Sequence, residues 1–175
     1  LTGTGASRDA GGGESYSRDY PGGTGRNIGP CPAACGMSED EARAWLATQF
    51  DVPRETWDQL ERFVAVLLDA MDGQNLIAES TRDQIWARHI VDSAQLLTHS
   101  GAAQPGTWMD LGSGAGLPGL VIAILSPWDV LLVESLSKRI DFLSHVVTEL
   151  GLTRTRIFDG RVEAVETTPA AVISA

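Results

Sequence analysis

Residues 108–125 read WMDLGSGAGLPGLVIAIL, and this stretch restricts the chain more than any other. An apolar run ends at Asp110, glycines follow at 112, 114, 116 and 119, and a second apolar run begins. A buried strand carrying Trp108, Met109 and Leu111, a tight loop and a helix satisfy that order. Glycines at alternating positions let the backbone take positive φ and leave room beside it for a ligand. Pro118 suits the first helical turn, where its missing N–H costs nothing. Such a helix aims free N–H groups and the positive end of its dipole at whatever rests on the loop.

The spacing narrows the ligand. A dinucleotide loop requires G-x-G-x-x-G, whereas Leu117 stands where the third glycine belongs. A second strand, Trp128 to Val133, ends in Glu134. An acid at the tip of the second strand accepts hydrogen bonds from ribose hydroxyls. The loop and Glu134 together call for an adenosine-like ligand without a pyrophosphate cradle. S-adenosylmethionine fits, with its ribose on Glu134 and its methionyl carboxylate near the helix start. An ordinary glycine turn between a core strand and a core helix is the alternative, and Asp110 and Glu134 weigh against it.

Upstream, three helices are expected. Met37-Ser38 opens the first, with Ser38 as N-cap, acids at 39 to 41, and Trp45 and Leu46 on an apolar face. The second runs from about Pro53 to Met71, with Trp57, Leu60, Phe63, Val64, Leu67 and Leu68 in one stripe. The third, roughly Thr81 to Thr98, turns Trp86, Ile90 and Leu97 inward and carries Arg88, His89 and Asp92 as a polar knot. Spacing alone reads that knot as an Arg88–Asp92 surface ion pair at i, i+4. Residues 101 to 106 link into the strand.

Downstream, Ser135 or Ser137 is expected to cap a helix running to Leu150. Ile140, Leu143, Val146 and Val147 face inward, and Gly151 ends the helix. Thr155 to Phe158 reads as a third strand, with Arg161-Val162-Glu163 at its C-terminal tip, and Ala171 to Ser174 as a fourth. Alternating strands and helices mean a Rossmann-like, parallel, doubly wound α/β sheet.

Composition sets limits on the rest. Residues 1–36 hold ten of the nineteen glycines and almost no aliphatic side chains, too little apolar surface to offset ordering entropy. They read as a disordered, non-native leader, with translation expected to start at Met37. Residues 37–100 then form a helical extension and 101–175 the α/β domain. The two cysteines, Cys31 and Cys35, lie in a Gly/Pro context and suggest neither a disulfide framework nor a metal site. With no secretory signal and no membrane-spanning run, cytoplasm is the default. The net charge of −10 argues against strong free-standing affinity for nucleic acid. Residues 134–163, with five basic and five acidic side chains, are neutral by comparison.

Four stretches carry a family resemblance: QNLIAESTRDQIWARHIVDSAQLL, WMDLGSGAGLPGLVIAILSP, VLLVESLSKRIDFLSHVVTELGL and GRVEAVE. In this order they resemble the RsmG/GidB family of small-subunit ribosomal RNA guanine-N7 methyltransferases. The resemblance implies a class I S-adenosylmethionine-dependent methyltransferase fold with an N-terminal helical extension, acting on 16S RNA or the 30S subunit. It places Gly112, Gly114, Gly116 and Leu117 at the cofactor, Glu134 at its ribose, and Val162 with Glu163 beside the adenine. Arg88 and His89, with Asp92 and Ser93, match the family's RHILDS-type stretch. Lys138, Arg139 and Arg161 match basic positions that face RNA. The turn DGQNLI departs from the family's KWN-type corner. The family also continues past VISA, so the resemblance implies an α/β domain incomplete at its C-terminus, with cofactor binding weak and activity absent in isolation.

Guanine N7 carries an in-plane lone pair and needs no deprotonation, so no catalytic general base is expected. Two other readings compete. An NAD-dependent oxidoreductase requires the glycine that Leu117 replaces and a Tyr-x-x-x-Lys pair that is absent. A non-catalytic nucleotide- or RNA-binding module requires neither.

Overall fold

The computed structural model describes residues 36–100, 106–165 and 169–175. All of the expected leader (1–36) except Gly36, and most of the linker, 101–105, lie outside the described residues. Helix α1 (Glu39–Gln49) starts on Ser38, whose hydroxyl accepts from the Glu41 N–H while the Glu41 carboxylate accepts from the Ser38 N–H at 2.8 Å. This reciprocal cap follows from the Ser-x-x-Glu spacing. Helix α2 (Arg54–Ala70) has no side-chain cap. Its stripe buries Leu60, Phe63 and Leu67 completely. At about 1.5–3 kcal/mol per side chain, the stripe outweighs a cap worth roughly 1 kcal/mol.

The third helix departs from expectation. Glu79–Gln84 is a 3₁₀ helix, Trp86–Ile90 is a π turn, and only Val91–His99 (α3) is regular α-helix. The Val91 N–H donates to Trp86 O, five residues back. The N–H groups of Trp86 and Ala87 donate to the Glu39 carboxylate of α1, at 3.1 and 3.0 Å. These amides lie in the first turn of the helical run that follows the 3₁₀ segment, where the ladder offers them no partner. Trp86, Ala87 and Ile90 still face the core.

Four strands follow: β1 (Thr107–Leu111), β2 (Asp129–Glu134), β3 (Thr155–Asp159) and β4 (Val172–Ser174). They form one parallel sheet in the order β3-β2-β1-β4. The chain winds outward from β1 to β3 and then crosses back to the other side of β1. That reversal is the switch point at which open α/β sheets bind ligands. Helix α4 (Gly119–Leu125) follows the glycine loop, and α5 (Ser137–Glu149) crosses from β2 to β3. One apolar cluster runs from Leu46 and Phe63 through Trp86 and Ile90 to Trp108, Leu120, Leu132 and Leu143, joining the three N-terminal helical segments to one sheet face. Met109, Leu131 and Val133 form a smaller cluster.

Two helix ends differ in how well they were anticipated. Helix α5 stops as expected. Gly151 takes φ +63°, the Leu152 N–H donates to Val147 O, and the Gly151 N–H donates to Thr148 O. This is the glycine-terminated arrangement that satisfies the last carbonyls. At its start neither Ser135 nor Ser137 serves as the cap. Leu136 occupies that position without a side-chain bond. The preceding amides of Ser135 and Leu136 are held by Glu134, at 2.7 and 3.0 Å, because a strand-end carboxylate reaches them first.

Candidate functional site

The loop after β1 is shaped by three glycines in the left-handed region, Gly112 (φ +69°), Gly114 (φ +54°) and Gly116 (φ +80°). It folds back onto β2: the N–H groups of Gly112 and Ser113 both donate to Val133 O, at 2.9 and 3.0 Å. The three glycines have different surroundings. A Cβ on Gly112 would meet nothing within 4 Å, whereas one on Gly116 would run into Leu120 and Leu143. Gly119 has helical backbone, and a Cβ there would strike Leu132 and Asp110 Oδ2. The close helix–strand packing that a third glycine supplies in the dinucleotide loop therefore falls to Gly119, two residues past Leu117. Pro118 sits one place earlier than expected, at the cap of α4.

Glu134 is 5% exposed and turns toward the loop. Its Oε2 accepts from the Gly114 N–H at 2.9 Å, and its Oε1 takes the amides of Ser135 and Leu136. Arg139 Nη1 lies 3.8 Å from Oε2. Burial pushes this carboxyl up and is the largest single influence. The Leu136, Ser135 and Gly114 amides and the Arg139 guanidinium together hold it below its ordinary value. A carboxylate offers about four lone-pair directions. Three take amides, which leaves one on Oε2.

That carboxylate lines a cleft of about 370 Å³ with Leu111, Gly112, Val133, Ser135, Gly160, Arg161, Val162 and Glu163. Gly112, Glu134, Val162, Glu163 and Arg161 are thus brought together, across the C-terminal ends of β1, β2 and β3. Gly114 reaches the group through its amide, and Gly116 packs toward the core. Lys138 is exposed in the first turn of α5 and lines neither this cleft nor the next.

Leu117 lies elsewhere. A second cleft, of about 450 Å³, is lined by Arg88, His89, Asp92, Ser93, Leu117, Pro118 and the end of β4, among others. The glycine loop therefore has a cleft on each side. Here the expected Arg88–Asp92 ion pair does not form. The π turn carries the ladder in steps of five residues, so the i, i+4 register of an α-helix is lost. Arg88 Nε is buried without a partner among the described residues. His89 Nε2 lies 2.8 Å from Thr81 Oγ1, which is also within hydrogen-bond reach of Ala78 O. The hydroxyl has one hydrogen for two acceptors, and the imidazole tautomer sets which of the pair donates. Burial holds this imidazole below its ordinary range. Asp92 and Glu39 push it up, and Arg88 pushes it down.

One arrangement had no local signal. Trp108 Nε1 donates to Ser174 Oγ at 2.8 Å, and Ser174 Oγ donates to Asp110 Oδ1 at 2.7 Å. Asp110 is 1% exposed, and its Oδ2 has no hydrogen-bond partner among the described residues. Burial raises its pKa, against donors that lower it. Among the described residues no group of three or more His, Cys, Asp or Glu could hold a metal, and no helix is long and apolar enough to cross a membrane.

A parallel sheet with a glycine loop after its first strand and an acid closing its second defines a Rossmann-like α/β protein of the methyltransferase type. Comparison with known families carries the assignment further. Residues 56–174 match GidB, described as rRNA small subunit methyltransferase G. The chain is 52% identical over 145 residues to the ribosomal RNA small subunit methyltransferase G of Sphingopyxis alaskensis, covering 82% of this chain and 62% of that protein. It is 51% identical over 141 residues to the protein of the same name from Rhizorhabdus wittichii, covering 79% and 64%. The corresponding Zymomonas mobilis protein is 45% identical over 146 residues, covering 79% and 66%. This chain belongs to the GidB, or rRNA small subunit methyltransferase G, family. It spans slightly less than two thirds of the length of these relatives.

Proposed function

We propose that this chain carries the cofactor-binding sheet and part of the substrate face of an S-adenosylmethionine-dependent methyltransferase acting on guanine N7 of small-subunit ribosomal RNA. The observation that carries the reading is Glu134, buried, ionised, bonded to the Gly114 amide of the glycine loop and lining the first cleft. The residues fit an adenosyl group. Glu134 has an acceptor for a ribose hydroxyl, Gly112 leaves open space, and Val162 is 46% exposed on the rim, apolar, and available to an adenine face. Glu163 borders the same end, and Gly114, Gly116 and Leu117 shape the loop.

Bound S-adenosylmethionine supplies a methyl group on a positively charged sulfonium. Guanine N7 presents a free lone pair, so no side chain has to remove a proton. The protein's work is orientation and exclusion of water, which effective molarity can turn into most of the acceleration. On the second side of the loop, Arg88 and His89 would meet the RNA, while Arg139 and Arg161 on the first side and exposed Lys138 would add charge. The helices before residue 101 form an extension that carries the first two. The acidic balance of the chain favours an assembled subunit over naked RNA, and cytoplasm is the compartment in which that substrate is found.

Isothermal calorimetry with S-adenosylmethionine and with NAD tests the cofactor, and methyl transfer to 30S subunits by the full-length protein tests the reaction. Binding of the former alone is expected. Binding of NAD alone would overturn the proposal in favour of an oxidoreductase. Binding of neither would favour a non-catalytic module.

A further inference from the structure

We infer that Glu39, on the N-terminal helix, is a positioning residue for the face carrying Arg88 and His89. The inference rests on the reading that this face meets the RNA. The observations concern three segments. Both carboxylate oxygens of Glu39 are used, Oε2 by the Trp86 N–H at 3.1 Å and Oε1 by the Ala87 N–H at 3.0 Å. One turn further along α1, the Arg43 guanidinium lies 4.3 Å from the centre of the Trp86 ring, and Trp57 stacks on Trp86 at 5.9 Å. The turn so gripped is the π turn, from which Arg88 and His89 reach the second cleft.

The geometry gives the carboxylate a specific task. In an uninterrupted α-helix the Trp86 and Ala87 amides would donate four residues back, to Arg82 and Asp83. A 3₁₀ segment precedes them instead, so Glu39 supplies both acceptors, and in the same turn Val91 donates five residues back, to Trp86 O. A one-residue slip rotates everything before it by about 100° relative to everything after it. Trp86 and Ala87 stay in the core on one side of the slip, and Val91 and Ala94 stay in the core on the other. Arg88 and His89 occupy the slip itself. Such inserted turns are often found at functional sites. Here the turn is gripped from another helix, 47 residues upstream.

The test uses Glu39→Gln, which keeps the shape and one acceptor, and Glu39→Ala, which keeps neither, alongside Arg88→Ala and the double variant Glu39→Ala/Arg88→Ala. Amide hydrogen exchange at Trp86 and Ala87 should quicken by about tenfold or more in Glu39→Ala, and by less in Glu39→Gln. Exchange in α5 and affinity for S-adenosylmethionine should stay unchanged, which a general loss of folding would not allow. Affinity for purified 30S subunits should fall by a similar factor in Glu39→Ala and Arg88→Ala, and little further in the double variant, the signature of residues acting as one unit. Unchanged exchange at Trp86 and Ala87 would overturn the prop. Losses that multiply in the double variant would overturn its action through Arg88. Faster exchange with 30S affinity intact in both single variants would overturn the RNA-facing reading itself and leave Glu39 an architectural contact.

Discussion

Replacing Gly112 and Gly116 by alanine, one at a time, separates a glycine that serves the cleft from one that serves the core. Both have positive φ, at +69° and +80°, so both substitutions carry a backbone cost of about 1–2 kcal/mol. At Gly112 nothing lies within 4 Å of the added methyl group, and the cost ends there. At Gly116 the methyl would come within 2.6 Å of Leu120 Cγ and 3.2 Å of Leu143 Cδ2. Overpacking of that kind adds roughly 1–3 kcal/mol. For a chain of this size each kcal/mol lowers the melting temperature by roughly 2–4 °C. Gly112→Ala should therefore melt a few degrees early and Gly116→Ala clearly earlier, as followed by circular dichroism. Binding should show the opposite order. The Gly112 methyl would stand in the 370 Å³ cleft and should weaken S-adenosylmethionine binding about tenfold or more, or ~1.4 kcal/mol. Folded Gly116→Ala should bind more nearly like the parent. Parental affinity in Gly112→Ala, or equal melting temperatures for the two variants, would refute the reasoning.

Glu134→Ala leaves the Gly114, Ser135 and Leu136 amides without their acceptor. It should cost about 2–4 kcal/mol in urea unfolding, and S-adenosylmethionine binding should become undetectable by calorimetry; affinity close to the parent's would remove Glu134 from the site. Because the folded carboxyl titrates below its reference value of 4.5, its contribution is complete above that pH and is lost as pH falls through the lower folded value, a loss the variant should not show. Asp110 has the opposite sign: its folded pKa is raised above 3.8, so its ionisation removes stability as pH rises through the folded value. Asp110→Asn should flatten that decline, and an unaltered pH profile would contradict it. Thr81→Val removes the partner of His89 Nε2, so ¹⁵N spectra should show the tautomer balance of the parent imidazole shifted in the variant; an unchanged balance would contradict the contact. His89→Ala in a full-length family enzyme should retain measurable turnover; complete loss of the chemical step with cofactor affinity unchanged would show that a base is needed after all.

Features written within a few residues of one another were legible in advance. Ser38 and Glu41 are three apart and make the cap of α1, Gly151 ends α5, and the order of strands and helices implies a parallel sheet. The glycine loop and Glu134 are twenty residues apart, but each is marked by its place at the end of a strand. What escaped was held from a distance. The amides at the head of the π turn find their acceptor on Glu39, 47 and 48 residues away, and helical periodicity through Thr81–Thr98 carries no trace of it. The start of α5 was misassigned because two serines looked like caps, while the adjacent Glu134 carboxylate reaches the same amides. The Trp108–Ser174–Asp110 chain joins the first and last strands and could only appear once the sheet order was known.

That last chain has a consequence for assembly. Strands β1, β2 and β3 with α4 and α5 are contiguous in sequence, so they can zip together through short crossovers as synthesis proceeds. The Asp110 carboxylate becomes buried in that process, but its donor, Ser174, arrives 64 residues later. Closing so large a loop is the slow kind of contact. Until Ser174 is in place, the acid lacks its hydroxyl and the Trp108 indole lacks its acceptor. The β4 strand therefore gives Asp110 and Trp108 their partner and the second cleft one of its walls in a single contact.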